Sequence, residues 1–430
     1  MNPIPQPAPV QGDMDWFLHD RFGMFIHWGT YAAAARHEWV RHTEETPDDE
    51  YEKYFRYFDP DLFDPKEWAR QAREAGMKYA VITAKHHEGF CLWDSRHTDY
   101  KATNTPCRKD LLREILDAFR REGVRTGLYY SLIDWHHPHF TVDALHPMRN
   151  HPDAAEWNKS RDMGLYRQYM RNQVRELLTE YGDIDILWFD FSYPEQRHKD
   201  LTGKGHDDWD SESLLAMARE LRPGIIVDNR LDLPPEKADI HTPEQYQPQA
   251  WLTVAGKPVY WEACQTFSGS WGYYRDETSW KSPEQLIRML INTVSCGGNL
   301  LMNVGPTARG CLDPRAANAL KVYADWMSLH GRAIYGCTQS VFEAPPHCRY
   351  TQRGDRLYVH LYAWPFRHLH LPGLAGKVAY AQLLNDASEI RPCRETNDGR
   401  HEWIQPGTLT LELPVQQPAV TVPVIELFLK

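Results

Sequence analysis

Between residues 22 and 306, short apolar runs alternate seven times with longer segments whose apolar residues recur at helical spacing. The runs are FGMFIHWG (22–29), YAVITAKH (79–86), RTGLYYSL (125–132), ILWFDF (186–191), IIVDNR (225–230), PVYWEACQ (258–265) and NLLMNVGP (299–306). A run of this length followed by a helix is a β/α unit, and repeating the unit builds a parallel sheet. Helices are expected at 65–76, 109–123, 161–182, 211–224 and 282–298. Their ends are marked. Ser282 precedes Pro283 with Gln285 three residues past the serine, an N-cap with proline at the first helical position, and Gly76, Gly123 and Gly182 stand where helices close. No glycine-rich dinucleotide fingerprint follows the first run. The pattern therefore predicts an α/β fold, a (β/α)8-like barrel with one strand degenerate, over an open doubly wound sheet.

The texture changes after a last helix at 314–334. Residues 338–430 carry the β-type runs RLYVHLYAW (356–364), KVAYAQLL (377–384) and AVTVPVIELFL (419–429), broken by Pro and Gly, which predicts a C-terminal antiparallel β-sandwich domain. Residues 13–335 are expected to form the barrel. Residues 1–12, with Pro3, Pro5, Pro7 and Pro9, are expected to form an extended, external arm.

Composition bounds the partners. With 48 basic against 59 acidic residues, a net charge of −11, the chain offers no basic face to a polyanion, so nucleic acid is not an expected partner. No stretch approaches the roughly 18 to 20 apolar residues of a membrane helix, and the N-terminus has neither a positive n-region nor an apolar h-region. The expectation is a cytoplasmic protein with no membrane partner; its oligomeric state is left open. Eight cysteines form no CxxC pair and no zinc spacing, and read as reduced thiols. The excess that remains is 16 Trp, 22 Tyr and 21 His, aromatic faces and polar tips suited to sugar rings.

In a β/α barrel the site lies at the C-terminal ends of the strands, so the polar residues closing the runs are the candidates. They are His27, the pair His86 and His87, Tyr129, Tyr130 and Asp134, Asp190, Arg230, and Glu262 within the sixth run. Asp190 is the sharpest, because a carboxylate ending a buried run is costly without a partner or a task. Adjacent histidines on a strand point to opposite faces, so His86 and His87 do not suggest a metal, and neither a metal nor a cofactor is expected. His136, His137 and His139 fit equally a pocket wall or a solvated loop.

Seven blocks, FGMFIHWGTY (22–31), AKHHEGFCLWDS (84–95), GLYYSLIDWHHP (127–138), ILWFDF (186–191), TPEQY (242–246), WEACQTFSGSWGYY (261–274) and GGNLLMNVGP (297–306), together resemble the α-L-fucosidase family of retaining glycoside hydrolases. The resemblance spans roughly residues 15 to 335. It implies a barrel followed by a β-sandwich, and removal of terminal α-L-fucose from a fucosylated oligosaccharide or glycoconjugate with net retention. It further implies Asp190 as nucleophile, His27, His86, His87, Glu38, Trp39 and Arg230 as sugar-binding residues, and Tyr130, by block position, as the pocket tyrosine rather than Tyr129. Glu244 in TPEQY matches the acid/base, with Glu262 as the rival and the more structural of the two. Two positions depart from the family's pattern: Phe191 and Ser192 follow the nucleophile where glycines are common, and Glu88 replaces a common aspartate.

The chemistry accounts for these residue types. A retaining glycosidase needs two carboxyl groups about 5 to 5.5 Å apart, one ionised to attack and one protonated to assist departure. Fucose adds a methyl group at C5, for which Phe25, Trp188 and Trp271 would supply an apolar wall. Such a wall rejects an added hydroxyl by only about a hundredfold. Two alternatives stay open: a fucose-binding relative with little turnover, and a retaining exo-glycosidase acting on a related sugar.

Overall fold

Seven parallel strands make the barrel: β1 (Phe22–Ile26), β2 (Tyr79–Lys85), β3 (Arg125–Ser131), β4 (Ile186–Asp190), β5 (Ile226–Val227), β6 (Glu262–Thr266) and β7 (Asn299–Val304). The computed structural model describes residues 3–393 and 404–430; residues 1–2 of the expected arm and 394–403 of the expected C-terminal domain lie outside them. The strands pair in the order β6-β7-β1-β2-β3-β4-β5, a curled sheet with its one gap between β5 and β6.

Residues 239–245 bridge that gap. On one side the N–H groups of Asp239 and Ile240 donate to the Val227 carbonyl; on the other, His241 N donates to Tyr260, Glu262 N to His241 and Gln245 N to Cys264. Single parallel bridges join Asp228 to Ile240, His241 to Trp261 and Glu244 to Cys264. This is the degenerate eighth strand. Pro243 has no N–H to give, and Gln245 sits at φ +47°, so a continuous ladder cannot form.

β1, β2, β4, β6 and β7 are buried at every position, as strands packed on both faces must be. Their period of two separates an inner from an outer layer. Phe25, Tyr79, Val81, Tyr129, Trp188 and Leu301 fill the interior together with Phe17 of the helix Met14–Asp20. Met24, Ile82, Leu128, Tyr130, Leu187 and Phe189 pack outward against the helices. Those helices include Pro65–Glu74, Leu111–Arg121, Met163–Glu180, Ser211–Leu221, Pro283–Ser295 and Pro314–His330. Ser282 and Gln285 form the expected reciprocal cap, at 3.3 and 2.7 Å.

From Thr338 onward the strands are antiparallel. A five-stranded sheet orders Thr338–Gln339, Cys348–Arg353, Arg356–Leu361, Val424–Leu429 and Val378–Leu383, and a three-stranded sheet orders His368–Leu371, Leu409–Glu412 and Arg391–Pro392. Leu357, Val359, Leu371, Leu411, Ile425 and Leu427 form the sandwich core. The last strand starts later than its apolar run suggests, because Val422 takes φ +48° ahead of Pro423. The arm is not external throughout. Gln11 and Gly12 donate their N–H groups to Asp239 Oδ1 at 3.1 and 2.9 Å, so its end is tied to the barrel beside the degenerate strand. Among the described residues no helix is long and apolar enough to cross a membrane.

Candidate active site

The C-terminal strand ends surround a small cavity, about 30 Å³, walled by aromatic, histidine and carboxylate side chains. Asp190, the last residue of β4, is buried at its edge. Its Oδ2 accepts the Tyr129 hydroxyl at 2.7 Å, and its Oδ1 accepts Arg230 Nη1 at 3.1 Å. The same guanidinium reaches the degenerate strand, where Nη2 donates to Glu244 Oε2 at 3.0 Å and Nε to Thr242 Oγ1 at 3.0 Å. Arg230 also lies over the Trp188 ring, 4.9 Å from its centroid. One planar cation thus holds two carboxylates on the rim of one cavity, a spacing set by the width of a guanidinium group.

The histidines are fixed from behind. His27, directly after β1, places Nδ1 2.6 Å from Asn303 Oδ1, and His87 places Nδ1 2.7 Å from Ser131 Oγ. His86 lies between them, its ring 5.5 Å from His27 and 4.0 Å from His87. Glu38, in the loop after β1, accepts Gly272 N at 2.7 Å and so pins the loop that carries Trp271. Trp39 packs edge-on to His87 and tilted on Phe191. Phe25 touches both Trp188 and Trp271, at 5.3 and 6.0 Å between ring centroids, which puts the three expected apolar residues on one wall.

Burial governs the electrostatics. It pushes the Asp190 carboxyl above the usual aspartate range, a shift that the Arg230 charge opposes but does not cancel. Burial also lowers His27 and His87 well below the ordinary histidine value, with His86 adding to the effect in both, so both rings are neutral at pH 7. For Arg230, burial works against the charge, but Asp190 and the other acidic groups around it outweigh burial and hold the side chain protonated.

Several candidate residues do not reach the cavity. The pocket tyrosine is Tyr129, not Tyr130: on β3 the inward parity falls on 129, while Tyr130 points outward and donates to Gln173 Oε1 at 2.7 Å. Glu262 opens β6 at the end remote from the rim and is fully buried. There it accepts the Tyr79 hydroxyl at Oε2, and burial raises it to about 7. His136 stacks on Tyr100 and His137 packs tilted against Tyr169, outside the cavity, and Asp134 pairs with Lys85 at 3.0 Å in the core.

A model of the α-L-fucosidase family matches residues 8–332. The chain belongs to the α-L-fucosidase family. α-L-Fucosidase isoenzyme 1 from Paenibacillus thiaminolyticus is similar at 45% identity and TM-score 0.89, covering 97% of this chain and 98% of that one. A GH29 α-L-fucosidase from Bacteroides thetaiotaomicron, solved as a trapped covalent intermediate with 2-fluoro-fucosyl fluoride in a Glu-to-Gln variant, is 28% identical with TM-score 0.83, covering 100% of both chains. The plasma α-L-fucosidase of Rattus norvegicus is 28% identical over 439 residues, 93% of this chain and 87% of that protein.

Within this fucosidase fold, sequence reasoning missed Asn303, Ser131 and Cys264. Cys264 lines the cavity, and the other two act on the histidines from outside it. It also left open what Phe191 does. Phe191 sits at φ +86°, a conformation that costs a bulky residue about 1–3 kcal/mol, and its ring forms part of the cavity wall. Its neighbours hold it there: Leu132 N donates to Asp190 O at 2.8 Å, and Ser192 Oγ donates to Arg230 O at 2.7 Å.

Proposed function

We propose that the chain removes terminal α-L-fucosyl residues from oligosaccharides or glycoconjugates by double displacement, with Asp190 as nucleophile and Glu244 as acid/base. The observation that carries the assignment is Arg230, which contacts both carboxylates at the edge of one cavity. Asp190 attacks the anomeric carbon while Glu244 gives its proton to the glycosidic oxygen. The α-glycosidic bond breaks and a β-linked fucosyl ester forms on Asp190. Glu244 then takes a proton from water, which attacks the same carbon, frees Asp190 and releases α-L-fucose. Tyr129 and Arg230 stabilise the ionised Asp190 before attack and as it leaves.

His27, His86, His87, Glu38 and Trp39 bind hydroxyl groups, and Phe25, Trp188 and Trp271 enclose the C5 methyl group. The trapped intermediate of the Bacteroides relative, made in a Glu-to-Gln variant, supports a covalent mechanism assisted by a glutamate. Free thiols at Cys91, Cys107, Cys264, Cys296, Cys311, Cys337 and Cys348 support a reducing, cytoplasmic setting. The test is hydrolysis of an aryl α-L-fucoside followed by NMR of the first-formed anomer. α-L-Fucose is expected; initial β-L-fucose, or no turnover, would overturn the reading.

A further inference from the structure

The hydrogen bonds behind the pocket histidines determine which ring nitrogen carries the proton. Asn303, in β7, donates its amide Nδ2 to the carbonyl oxygen of Trp271 at 2.6 Å. A carbonyl only accepts, so the other end of that amide is oxygen, and it lies 2.6 Å from His27 Nδ1. Oxygen and a bare nitrogen cannot share a bond, so Nδ1 holds the proton. Ser131 imposes the same choice by another route. Its hydroxyl donates to Ile133 O at 2.8 Å and accepts Ile133 N–H at 3.1 Å. With its one proton spent, Oγ can only accept from His87 Nδ1, 2.7 Å away. Both rings are neutral at pH 7, so neither has a second proton to place on Nε2.

We infer that Asn303 and Ser131 are positioning residues that lock His27 and His87 as Nδ1–H tautomers, so that both rings offer the sugar a bare, accepting Nε2. The hydroxyl groups they meet must therefore donate. His87 Nε2 stands 3.9 Å from Asp190 Oδ2, two acceptors facing the same space, which a donor from the ligand suits. Asn303 has a double task, because the Trp271 carbonyl that orients its amide belongs to the loop carrying the apolar wall. Only the identity of the ligand rests on the fucosidase reading; the tautomers follow from the protein's own hydrogen bonds.

The tautomers are read directly by NMR of the intact chain labelled with 15N-histidine, using His27→Gln and His87→Gln spectra for assignment. A protonated Nδ1 and a pyridine-type Nε2 are expected for both rings; a proton on Nε2 of either would overturn the inference. In Asn303→Leu and Ser131→Ala the corresponding ring should drift towards a mixture of tautomers, and fucose binding should weaken about five- to tenfold, the loss of one hydrogen bond. Unchanged ring shifts in either variant would contradict its positioning role. Binding of fucoses with one hydroxyl replaced by fluorine, which cannot donate, adds a second readout that wild-type protein alone supplies. At least one should bind about tenfold more weakly than fucose, and tolerance of fluorine at C2, C3 and C4 alike would contradict accepting histidines. Expected tautomers with no fucose binding would instead count against the proposed function and leave the tautomers standing.

Discussion

The two sides of the barrel rim hold their chemistry in different ways. On β1 to β4 the functional groups close strands of the continuous sheet; Asp190 pairs with Ser131 of β3, and its side chain is only 12% exposed. On the β5 to β6 side Arg230 and Glu244 sit where the sheet lapses into single bridges, and the Glu244 side chain is 43% exposed. A nucleophile must meet one carbon at one angle, which suits a strand end held by the β3 ladder on one side and by the Phe189 N–H to Asp228 Oδ1 bond on the other. An acid/base must reach the leaving group and later a water molecule, which suits an open edge. The backbone under Glu244 is nevertheless tied, through Cys264 N to Pro243 O and Gln245 N to Cys264 O.

Substitutions can break this contrast. Asp190→Asn should lower turnover by at least about 10³-fold on every fucoside while fucose still binds; steady-state kinetics with calorimetry checks it. Glu244→Gln should cost about 10²- to 10⁴-fold on substrates with basic leaving groups and far less on aryl fucosides with acidic phenols. A uniform loss across leaving groups would erase the proposed difference between the two sides.

Arg230 joins the two sides, so Arg230→Met should lower kcat/KM by roughly 10- to 100-fold, the loss of hydrogen bonds to charged groups. It should also move the acid limb. Asp190 attacks only when ionised, so activity falls as pH drops through its pKa, which burial already holds above the aspartate value of 3.8. Removing the opposing cation raises that pKa further, and the acid limb of the kcat/KM profile should shift to higher pH. A shift to lower pH would contradict this electrostatic account.

Smaller effects sharpen the picture within the rigid side. Tyr129→Phe should lower kcat/KM about tenfold, whereas Tyr130→Phe should leave it unchanged and cost about 1 kcal/mol of stability. Glu262→Ala should destabilise the fold by about 1–3 kcal/mol, leaving the Tyr79 hydroxyl without its acceptor, and lower activity on all substrates in proportion. Glu262 binds its proton more tightly folded than unfolded. The stability it contributes is therefore complete below the ordinary carboxylate range and fades as pH rises through about 7. Glu262→Gln should remove that fade, seen as a flatter dependence of unfolding midpoint on pH.

Most of the rim was legible from the runs taken together, because six strands all carry polar residues at or near their ends; singly such residues can be core groups, as Asp134 and Glu262 are. The inner wall was legible too, since Phe25 and Trp188 share the inward parity of their strands. Tyr129 and Tyr130 were not separable by type, as both are tyrosines. Their neighbour Leu128 packs outward, and counting by two from it places Tyr130 outside and Tyr129 inside. The degenerate strand left little apolar signal, because Pro243 interrupts it, yet it carries Glu244. Asn303 was hidden for another reason: within NLLMNVGP it reads as one polar residue in a buried strand, and its role depends on a carbonyl 32 residues away in sequence.

The most direct test of the two-sided account is the stereochemistry of azide rescue. Without Glu244 the fucosyl ester still forms from an activated aryl fucoside, and azide can attack it without base assistance. Glu244→Ala with azide should therefore yield α-fucosyl azide. Without Asp190, azide takes the nucleophile's place in a single inversion, so Asp190→Gly should yield the β anomer. Rescue of Glu262→Ala to the α-azide with no rescue of Glu244→Ala would move the acid/base to Glu262. The same anomer from both the Asp190 and Glu244 variants would contradict the division of labour between the strand end and the open edge.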